Sequence, residues 1–418
     1  MATDPGRFIA GTEVELIPSG PGPESLATHH QRLGPLPALA PAQLIAELEG
    51  SGLLGRGGAG FPVGRKWRSV AQRSSGGAVV LANGAEGEPL SHKDRSLMAA
   101  RPHLVIDGAL LAARAVNADD IIIYVGVEHR AADAALRAAL GERPTDVRGR
   151  VRIVQAPVGY VAGEESAAVN FINAGDARPT TTPPRPFERG VRGRPTLVQN
   201  VESLALAALI ARRGAAWYRN LGQGQAHGIG LITASGAVNH AGVQELELGS
   251  SLAEVAAAAG GLRGDVQAVL LGGYFGTWAD VDEQWRLPLD PQSMQARGLA
   301  FGCGVVHFLN ARTCGVEATA RIMAYLASQS ARQCGPCLFG LGAIAEATRR
   351  LAAKSPQTDD LERLHRWSGE LPGRGACRHP DGAAGLLRSA LTVFAEDYAA
   401  HQRRRCLTIA EPVRVAVA

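Results

Sequence analysis

The chain has 418 residues, of which 46% are hydrophobic and 20% are charged, and these values are typical of a globular protein with two or three domains. Lysine and arginine outnumber aspartate and glutamate by 43 − 39 = 4, a balance too mild to indicate nucleic acid as a partner. No apolar run is long enough for a membrane span, so we expect no transmembrane segment.

Residues 1–45 form an N-terminal lead that is rich in proline and ends in a helical stretch. Residues 1–11 are polar and are interrupted by Pro5 and Gly6, so we expect no signal peptide. A cytoplasmic location is therefore expected. In that reducing environment six cysteines are better suited to metal or redox chemistry than to structural disulfides.

The first domain is predicted over residues 46–225, where strand-like and helix-like runs alternate. In chain order they are a strand at 78–82, a helix at 94–116, a strand at 120–127, a helix at 129–140 and a strand at 151–158. This alternation predicts an α/β domain in which helices cover a parallel sheet.

Two further domains are predicted from the change of pattern after residue 226. The runs are strands at 230–238 and 243–248 around a hairpin signal at 239–242, a helix at 251–259 and a strand at 266–271. Their order predicts a small ubiquitin-like β-grasp domain over residues 226–305. Four helix-like runs in residues 306–418 predict a C-terminal helical bundle.

A glycine-rich segment, Gly55-Arg56-Gly57-Gly58-Ala59-Gly60, formally satisfies the pattern G-x-G-x-x-G. A helix-like run precedes it, whereas the dinucleotide-binding form of the pattern requires a strand at that place. Such a loop still allows backbone amides to approach a flat or anionic ligand closely. The alternative is an ordinary surface turn.

Two polar segments follow predicted strands, at the edge where open parallel sheets bind ligands. The first is Asn83-Gly84-Ala85-Glu86-Gly87-Glu88-Pro89, whose carboxylates and amide could bind a ribityl chain, a ring or a nicotinamide. The second is Gly163-Glu164-Glu165-Ser166 at the start of a helix. The alternatives are a solvated loop for the first segment and a plain helix cap for the second.

The tetrapeptide Cys334-Gly335-Pro336-Cys337 admits three interpretations. A metal site needs further ligands, and Cys377 lies in a second loop between helices. A thioredoxin-like redox pair would follow a strand and a tryptophan, whereas here a helix and Gln333 precede it. Buried, inert thiols are the third possibility.

Five motifs in a fixed order resemble the FMN- and NADH-binding subunit of respiratory complex I and its relatives in NAD-linked hydrogenases and formate dehydrogenases. They are Gly55–Phe61 with Pro62 and Lys66-Trp67, Asn83–Pro89 with Lys93-Asp94-Arg95, Gly163-Glu164-Glu165, Gly193-Arg194-Pro195-Thr196, and Asn200-Val201-Glu202. The similarity extends from about residue 50 to residue 400. It implies a flavin-binding α/β domain, a soluble-ligand-binding β-grasp domain and a helical bundle with a 4Fe–4S cluster.

The resemblance also implies a function and a set of site residues. It implies hydride transfer from NADH to FMN, single-electron transfer to the cluster, and ferredoxin-like partner subunits in a complex that can lie at the periphery of a membrane. The cofactor-binding residues it implies are Gly55, Arg56, Gly57, Gly58, Phe61, Lys66, Asn83, Glu86, Gly163, Glu164 and Asn200. The implied catalytic residues that face the nucleotide are Glu88 and Glu165, and the implied cluster ligands are Cys334, Cys337 and Cys377.

The chain departs from the family pattern at the donor site. Ala85 replaces an acidic residue near the flavin, and Arg68 follows Lys66-Trp67 in a segment that lacks the family's aromatic residue. The segment at 183–187 reads Pro-Pro-Arg-Pro-Phe, with an arginine before the last proline where the family has an aromatic ring. Fewer aromatic walls for adenine predict weaker or altered nucleotide binding.

The chain departs from the family pattern at the cluster as well, since Ala331 occupies the first position of C-x-x-C-x-x-C. Three outcomes remain open: a 3Fe–4S cluster, a 4Fe–4S cluster with a non-cysteine ligand, or no cluster. Cys303 or Cys314 could supply a fourth thiolate only if the fold brings it beside position 331. The alternative function is a degenerate paralogue that serves as a binding or scaffold subunit and has lost NADH oxidation.

Overall fold

The computed structural model describes residues 16–17 and 22–408. The lead predicted over residues 1–45 falls partly outside these residues, and the expectation about a signal peptide in residues 1–11 lies wholly outside them. Within the described residues no helix has both the length and the apolarity required to span a membrane.

The described residues contain nine strands and eighteen α-helices. The strands are β1 Ala78–Gly84, β2 Ala118–Gly126, β3 Val151–Ala156, β4 Thr196–Asn200, β5 Ile229–Gly236, β6 Gly242–Glu247, β7 Val266–Leu271, β8 Thr277–Asp280 and β9 Val305–Asn310. The helices are α1 Leu26–Leu33, α2 Pro41–Ser51, α3 Val63–Ala71, α4 Lys93–Ala100, α5 Pro102–Ala115, α6 Arg130–Glu142, α7 Thr145–Arg150, α8 Glu165–Ala174, α9 Val201–Arg213, α10 Ala215–Asn220, α11 Leu252–Ala258, α12 Val281–Gln284, α13 Pro291–Ala296, α14 Gly315–Ser328, α15 Leu341–Ala352, α16 Asp360–Glu370, α17 His379–Val393 and α18 Ala395–Gln402.

The first sheet is fully parallel, with the strand order β3-β2-β1-β4. The central residues of β1 and β2 are apolar and buried because both faces of the sheet are covered there. Val80 on one face belongs to a core shared with α2, α3, α5 and α9, and Leu81 on the other face packs with residues of α8. The predicted α/β domain is confirmed, and it includes a short strand, β4, in a region predicted to be a loop and the start of a helix. The carboxyl ends of all four strands meet at one edge of the sheet.

The second sheet is mixed, with the strand order β6-β5-β9-β7-β8. The pair β5–β9 is parallel, and the other neighbouring pairs are antiparallel. Leu252 and Val255 of α11 pack on one face of this sheet, and the first bundle helices pack against the other. Strand β9 extends to Asn310, so this unit runs past the boundary predicted at residue 305.

The C-terminal part of the described chain is helical, from α14 to α18, and it shares one apolar core with the mixed sheet. The rings of Trp278 on β8 and Phe394 before α18 meet edge to face, with centroids 5.4 Å apart. Gly382 of α17 allows the ring of Phe275 to approach, since a Cβ atom at 382 would lie 2.4 Å from that ring. The bundle is therefore seated on the mixed sheet by direct packing.

Candidate functional site

The glycine-rich segment, residues 55–61, which we call the glycine loop, is a closed turn between α2 and α3. The amide of Gly55 donates to the carbonyl of Phe61 at 2.9 Å, and Leu54 bridges to Pro62. Gly58 has φ of +102°, and a Cβ atom there would meet nothing within 4 Å. The loop therefore presents bare backbone to open space, a surface to which a flat ligand can come close.

The Arg56 side chain turns away from this open space and is buried. Its guanidinium donates to the Tyr218 hydroxyl and to the Ile229 carbonyl, both at 3.0 Å, and lies 3.8 Å from the carboxylate of Glu202. Its backbone amide donates to Ser203 Oγ at 2.9 Å. The side chain predicted to bind a cofactor thus holds the glycine loop against α9, α10 and the mixed sheet.

Asn200 ends β4 and begins α9 beside the glycine loop. Its Oδ1 accepts from the backbone amides of Glu202 and Ser203 at 3.0 and 3.3 Å, which caps the helix. Its Nδ2 donates to Asp94 Oδ2 at 2.7 Å. The Lys93 ammonium lies 2.7 Å from Asp94 and 2.9 Å from Glu202, so a buried cation balances these carboxylates. The buried trio of Lys93, Asp94 and Glu202 belongs to two motifs of the resemblance, although no role was predicted for it.

The segments after β1 and β3 meet, although β2 lies between these two strands. Asn83 Nδ2 donates to the carbonyl of Gly163 at 2.8 Å. A Cβ atom at Gly163 would lie 2.5 Å from the Ala85 carbonyl oxygen, and one at Gly87 would lie 2.7 Å from the Tyr160 carbonyl oxygen. Both glycines are therefore required by close backbone contact. The glycine loop, the end of β4 and these two segments are neighbours, and we call the surface between them the loop cleft.

Glu86 lies in the wall of the loop cleft with both carboxylate oxygens engaged. One oxygen accepts from Ser91 Oγ at 2.6 Å and from the Asp94 amide at 3.1 Å, and the other accepts from the Arg95 side chain at 3.2 Å. Although burial opposes ionisation, Lys93, Ser91 and Arg95 hold the pKa of Glu86 below its usual value. Glu86 thereby fixes the start of α4 as a permanent anion.

Glu164 and Glu165 have different surroundings at the start of α8. Glu164 caps the helix, and one of its oxygens accepts from the amides of Ser166 and Ala167, both at 2.9 Å. Glu165 is partly exposed and lies 3.4 Å from the Lys66 ammonium of α3, across the loop cleft. Half of the Phe61 surface is exposed. An apolar ring and a partly exposed ion pair thus lie where a ligand could enter.

Glu88 joins the first domain to the mixed sheet. Its carboxylate accepts from the backbone amides of Tyr274 and Leu90 at 2.8 and 3.2 Å and from the Tyr160 hydroxyl at 3.0 Å. Burial raises the pKa of Glu88 to about 7, against these hydrogen bonds, which lower it. The carboxylate is therefore directed at the mixed sheet and at Tyr160 rather than at the open cleft. Tyr160 was not among the predicted site residues, because nothing near it in sequence marks it.

The turn at residues 272–276 of the mixed sheet packs against the first domain and the bundle. Phe275 meets the ring of His379 at a centroid distance of 5.3 Å, and a Cβ atom at Gly273 would lie 2.8 Å from the Glu88 carboxylate. A separate cavity of about 450 Å³ lies between this sheet and α14, lined partly by Arg263 and Arg321. It is distinct from the loop cleft.

Cys334, Cys337 and Cys377, which we call the cysteine group, lie together at the end of the bundle that faces the loop cleft. Cys337 is buried. Burial, with the thiols of Cys334 and Cys377 close by, raises the pKa of Cys337 to about 12. Burial also raises the pKa of Cys377, and thiols of this kind suit a positively charged iron centre, which would stabilise their thiolates.

A fourth thiolate is not available beside Ala331. Cys314 begins α14 and Ala331 follows its end, so a helix of 14 residues, about 21 Å long, separates them. Cys303 donates instead to the Gly272 carbonyl, with a sulfur–oxygen distance of 3.4 Å. The cysteine group is therefore a set of three thiols, and the residues present fit an iron–sulfur cluster with one iron that lacks a cysteine ligand.

The loop cleft and the cysteine group share one wall, the single helical turn Tyr160–Gly163. The Tyr160 amide donates to Gln329 Oε1 at 3.0 Å, and its ring meets that of His379 at 5.7 Å. His379 follows Cys377 closely and donates its backbone amide to that thiol. A group bound in the loop cleft would therefore lie next to whatever the three thiols hold.

Two family models match this chain. Residues 48–208, which contain the loop cleft, match the Nuo51 FMN-binding domain. Residues 317–401, which contain the cysteine group, match the iron-sulfur binding region of NADH-ubiquinone oxidoreductase F.

Curated relatives align over most of the chain. The NADH-quinone oxidoreductase F 2 subunit of Rhizobium meliloti is 33% identical over 381 residues, which cover 88% of this chain and 90% of that one. The NADH-quinone oxidoreductase F subunit of Streptomyces coelicolor is 33% identical over 376 residues, which cover 87% and 84% of the two chains.

A solved structure is also similar, a NAD+-reducing NiFe-hydrogenase in its H2-reduced state. Its TM-score is 0.79 at 31% identity, and the match covers 88% of this chain. This chain spans 63% of the hydrogenase chain that it matches. The similarity therefore concerns one part of that longer protein.

Proposed function

The chain belongs to the family of NADH-quinone oxidoreductase F subunits, and on that premise we propose that it is a flavoprotein oxidoreductase subunit that takes electrons from NADH and passes them through FMN to an iron–sulfur centre. The observation that carries this proposal is the wall shared by the loop cleft and the cysteine group. FMN bound in the loop cleft, as the electron donor, would lie next to an iron–sulfur centre at the cysteine group, as the acceptor. A scaffold role without electron transfer is not favoured, because both binding regions are retained.

We assign FMN to the loop cleft, against the backbone of Gly55, Gly57 and Gly58 and the facing segment at Gly163. The absence of Cβ atoms at Gly57 and Gly58 supports this assignment, since the bare backbone leaves room for a ring system. When bound, flavin supplies the conversion between two-electron hydride chemistry and one-electron transfer.

The polar residues predicted to hold FMN would act mainly by shaping the cleft. Asn83 joins the two segments of its wall, Asn200 and Glu164 cap α9 and α8, and Glu86 anchors α4. The starts of α8 and α9, each capped by one of these side chains, would consequently border the bound flavin.

We assign the nucleotide to the outer side of the cleft, near Phe61, Lys66 and Glu165. The exposed ring offers a stacking surface, and the Lys66 ammonium offers a counter-ion for phosphate once it parts from Glu165. A role of Glu88 toward the nucleotide stays a prediction. Its hydrogen bonds favour a positioning role, through Tyr160 and the backbone of Tyr274.

Three finer assignments complete the proposal. The hairpin, helix and parallel central pair of the mixed sheet support a β-grasp domain of the soluble-ligand-binding kind. The names of the relatives, which are subunits, support electron-transfer partners, which we take to be ferredoxin-like. The six free thiols support a cytoplasmic location, at the periphery of a complex.

The experiment is anaerobic reduction of the FMN-reconstituted chain by NADH, followed by its visible spectrum. We expect flavin absorbance to survive desalting and to bleach on addition of NADH. The Gly58→Val variant, which we expect to lack flavin, is the control for free FMN. If the protein retains flavin but NADH never bleaches it, the scaffold function is the better explanation. If the protein stays colourless after desalting, the assignments of FMN and of NADH to the loop cleft are both wrong.

A further inference from the structure

A second group of metal-ligating side chains lies at the other end of the bundle. Cys314 precedes α14, His401 lies near the end of α18, and Cys406 follows that helix. The Sγ atoms and one ring nitrogen of these three residues all lie within 4.8 Å of one another. We call them the bundle-end triad. Cys314 and His401 are buried, and Cys406 is half-buried.

The contacts of His401 determine which ring nitrogen is free to bind a metal. Its Nδ1 lies 2.9 Å from the carbonyl oxygen of Leu351, which can only accept, so Nδ1 carries the proton. Nε2 is then unprotonated, and its lone pair points toward Cys314 Sγ at 3.3 Å. Metal-binding histidines are usually held in this way, by a carbonyl that accepts from the nitrogen not bound to the metal.

The donor spacing agrees with a tetrahedral site. Zinc bonds of about 2.3 Å to sulfur and about 2.0–2.1 Å to nitrogen place the two donors about 3.6 Å apart. The separation of Cys314 Sγ and His401 Nε2 is 3.3 Å before any ion contracts or expands the site. A thiol–imidazole hydrogen bond alone would explain this pair. It would not explain why Cys406, from a separate segment, brings a third soft donor to the same point.

We propose that Cys314, His401 and Cys406 form a Cys2His site for a zinc-class divalent cation, with water in the fourth position. Binding would release the two thiol protons, so that two thiolates and one divalent ion make a neutral centre. The half-buried Cys406 side gives the fourth ligand access to solvent. The FMN-binding match at 48–208 does not include these three residues, and the cluster role of Cys334, Cys337 and Cys377 does not use them, although the iron-sulfur binding match at 317–401 ends at His401.

The position of the site indicates a structural task. It joins the start of α14 to the segment after α18, so it would fasten the last described helix to the first helix of the bundle. The cysteine group lies beyond the opposite end of α14, about 21 Å away along the helix. The proposed ion is therefore outside the path of electrons and independent of the proposed function.

The test is metal analysis of the purified full chain after incubation with Zn2+ and removal of loosely bound ions. We expect one zinc per chain in the wild type, and at least a tenfold loss of zinc affinity in Cys314→Ser and Cys406→Ser. Cys303→Ser, which removes a half-buried thiol elsewhere, should keep the ion. Cys337→Ser should keep it too, which separates this site from the cysteine group.

Co2+ titration adds a spectroscopic readout, because cobalt bound by two thiolates gives a strong sulfur-to-metal charge-transfer band. We expect that band in the wild type and in Cys337→Ser, and its loss in Cys406→Ser. Cys406 is half-buried and lies after the last described helix, so its serine variant should fold even if Cys314→Ser does not. Failure of the wild type to take up stoichiometric Zn2+, or equal uptake by Cys406→Ser, would overturn the proposal.

Discussion

The loop cleft and the cysteine group are built by different means. The cleft is formed by bare backbone at Gly57 and Gly58 and by helix caps, and its polar side chains are satisfied within the protein. The cysteine group depends on single side-chain atoms that must reach a metal. A site of the first kind tolerates a change such as the alanine at position 85. A site of the second kind loses a ligand through one substitution, as at Ala331.

The largest effect is expected on FMN affinity, from a side chain that fills the loop cleft. Gly58→Val places a branched side chain in the open space of the glycine loop, at a φ of +102°. We expect at least about a 100-fold loss of FMN affinity, or about 2.7 kcal/mol. The measurement is flavin retained after equilibrium dialysis. Gly298→Val is the matched control, because Gly298 also has positive φ and open surroundings but lies in the mixed-sheet unit. Equal flavin loss in both variants would mean general strain rather than a blocked cleft.

The second effect concerns the missing ligand. We expect anaerobically purified wild-type protein to contain about three irons per chain, and Ala331→Cys to raise this to about four, while acid-labile sulfide stays at about four per chain in both proteins. Ala352→Cys, which adds a partly buried thiol on α15, should change nothing. Cys337→Ser should lose most of the iron. Four irons in the wild type, unchanged in Ala331→Cys, would show that another ligand completes the cluster and would remove the contrast between the two sites.

The third effect concerns the junction of the two regions, at Glu88. Burial raises its pKa to about 7 from an ordinary value of 4.5, so the folded state binds the proton more tightly than the unfolded state. Its contribution to stability is therefore fully present below pH 4.5 and is lost as pH rises through 7. Relative to Glu88→Gln, we expect the wild type to lose roughly 3 kcal/mol of unfolding free energy between pH 4 and pH 8.

Urea unfolding of both proteins across this range measures that difference. The exposed Glu362→Gln is the control for the loss of one carboxylate at the surface. A difference between Glu88→Gln and the wild type that stays constant from pH 4 to pH 8 would show that the Glu88 carboxyl titrates normally.

The smallest effect is expected at the rim of the cleft. Lys66→Met removes the ion pair with Glu165, and exposed pairs of this kind contribute only about 0–1 kcal/mol to stability. We expect the KM for NADH to rise about fivefold with kcat nearly unchanged, because binding energy common to ground and transition states is lost. Arg137→Met, which breaks the exposed pair with Asp133, should leave both constants as they are. A fall in kcat with unchanged KM would show that Lys66 acts in the reaction itself rather than in binding the nucleotide at the rim of the cleft.

Much of the fold could be predicted because apolar runs mark buried strands directly. The predicted strand 266–271 has the bounds of β7, and the parallel sheet follows from runs of buried apolar residues. Strand β4, Thr196–Asn200, was missed because five residues carry little pattern of their own. Its pairing with β1, more than 100 residues earlier, makes it a strand.

The site was predicted less completely, since local sequence does not distinguish a ligand-binding carboxylate from a helix cap. Glu86 follows β1 and Glu164 begins α8, but their hydrogen bonds to α4 and α8 depend on the fold. The Arg56 side chain could not be placed either, because Tyr218 and Ile229 contact it across more than 160 residues. Residues whose partners are distant in sequence are the ones that pattern reading assigns least well.

The close contact between Phe275 and Gly382 restricts how the parts of this protein can be exchanged. A ring from the mixed sheet occupies the space that any side chain at position 382 would fill. A bundle transplanted from a relative with a complete cluster motif would therefore need glycine at that position, or a smaller residue at 275. Repairing the cluster by the single replacement at position 331 is the less disruptive route, because it leaves this seam between the modules intact.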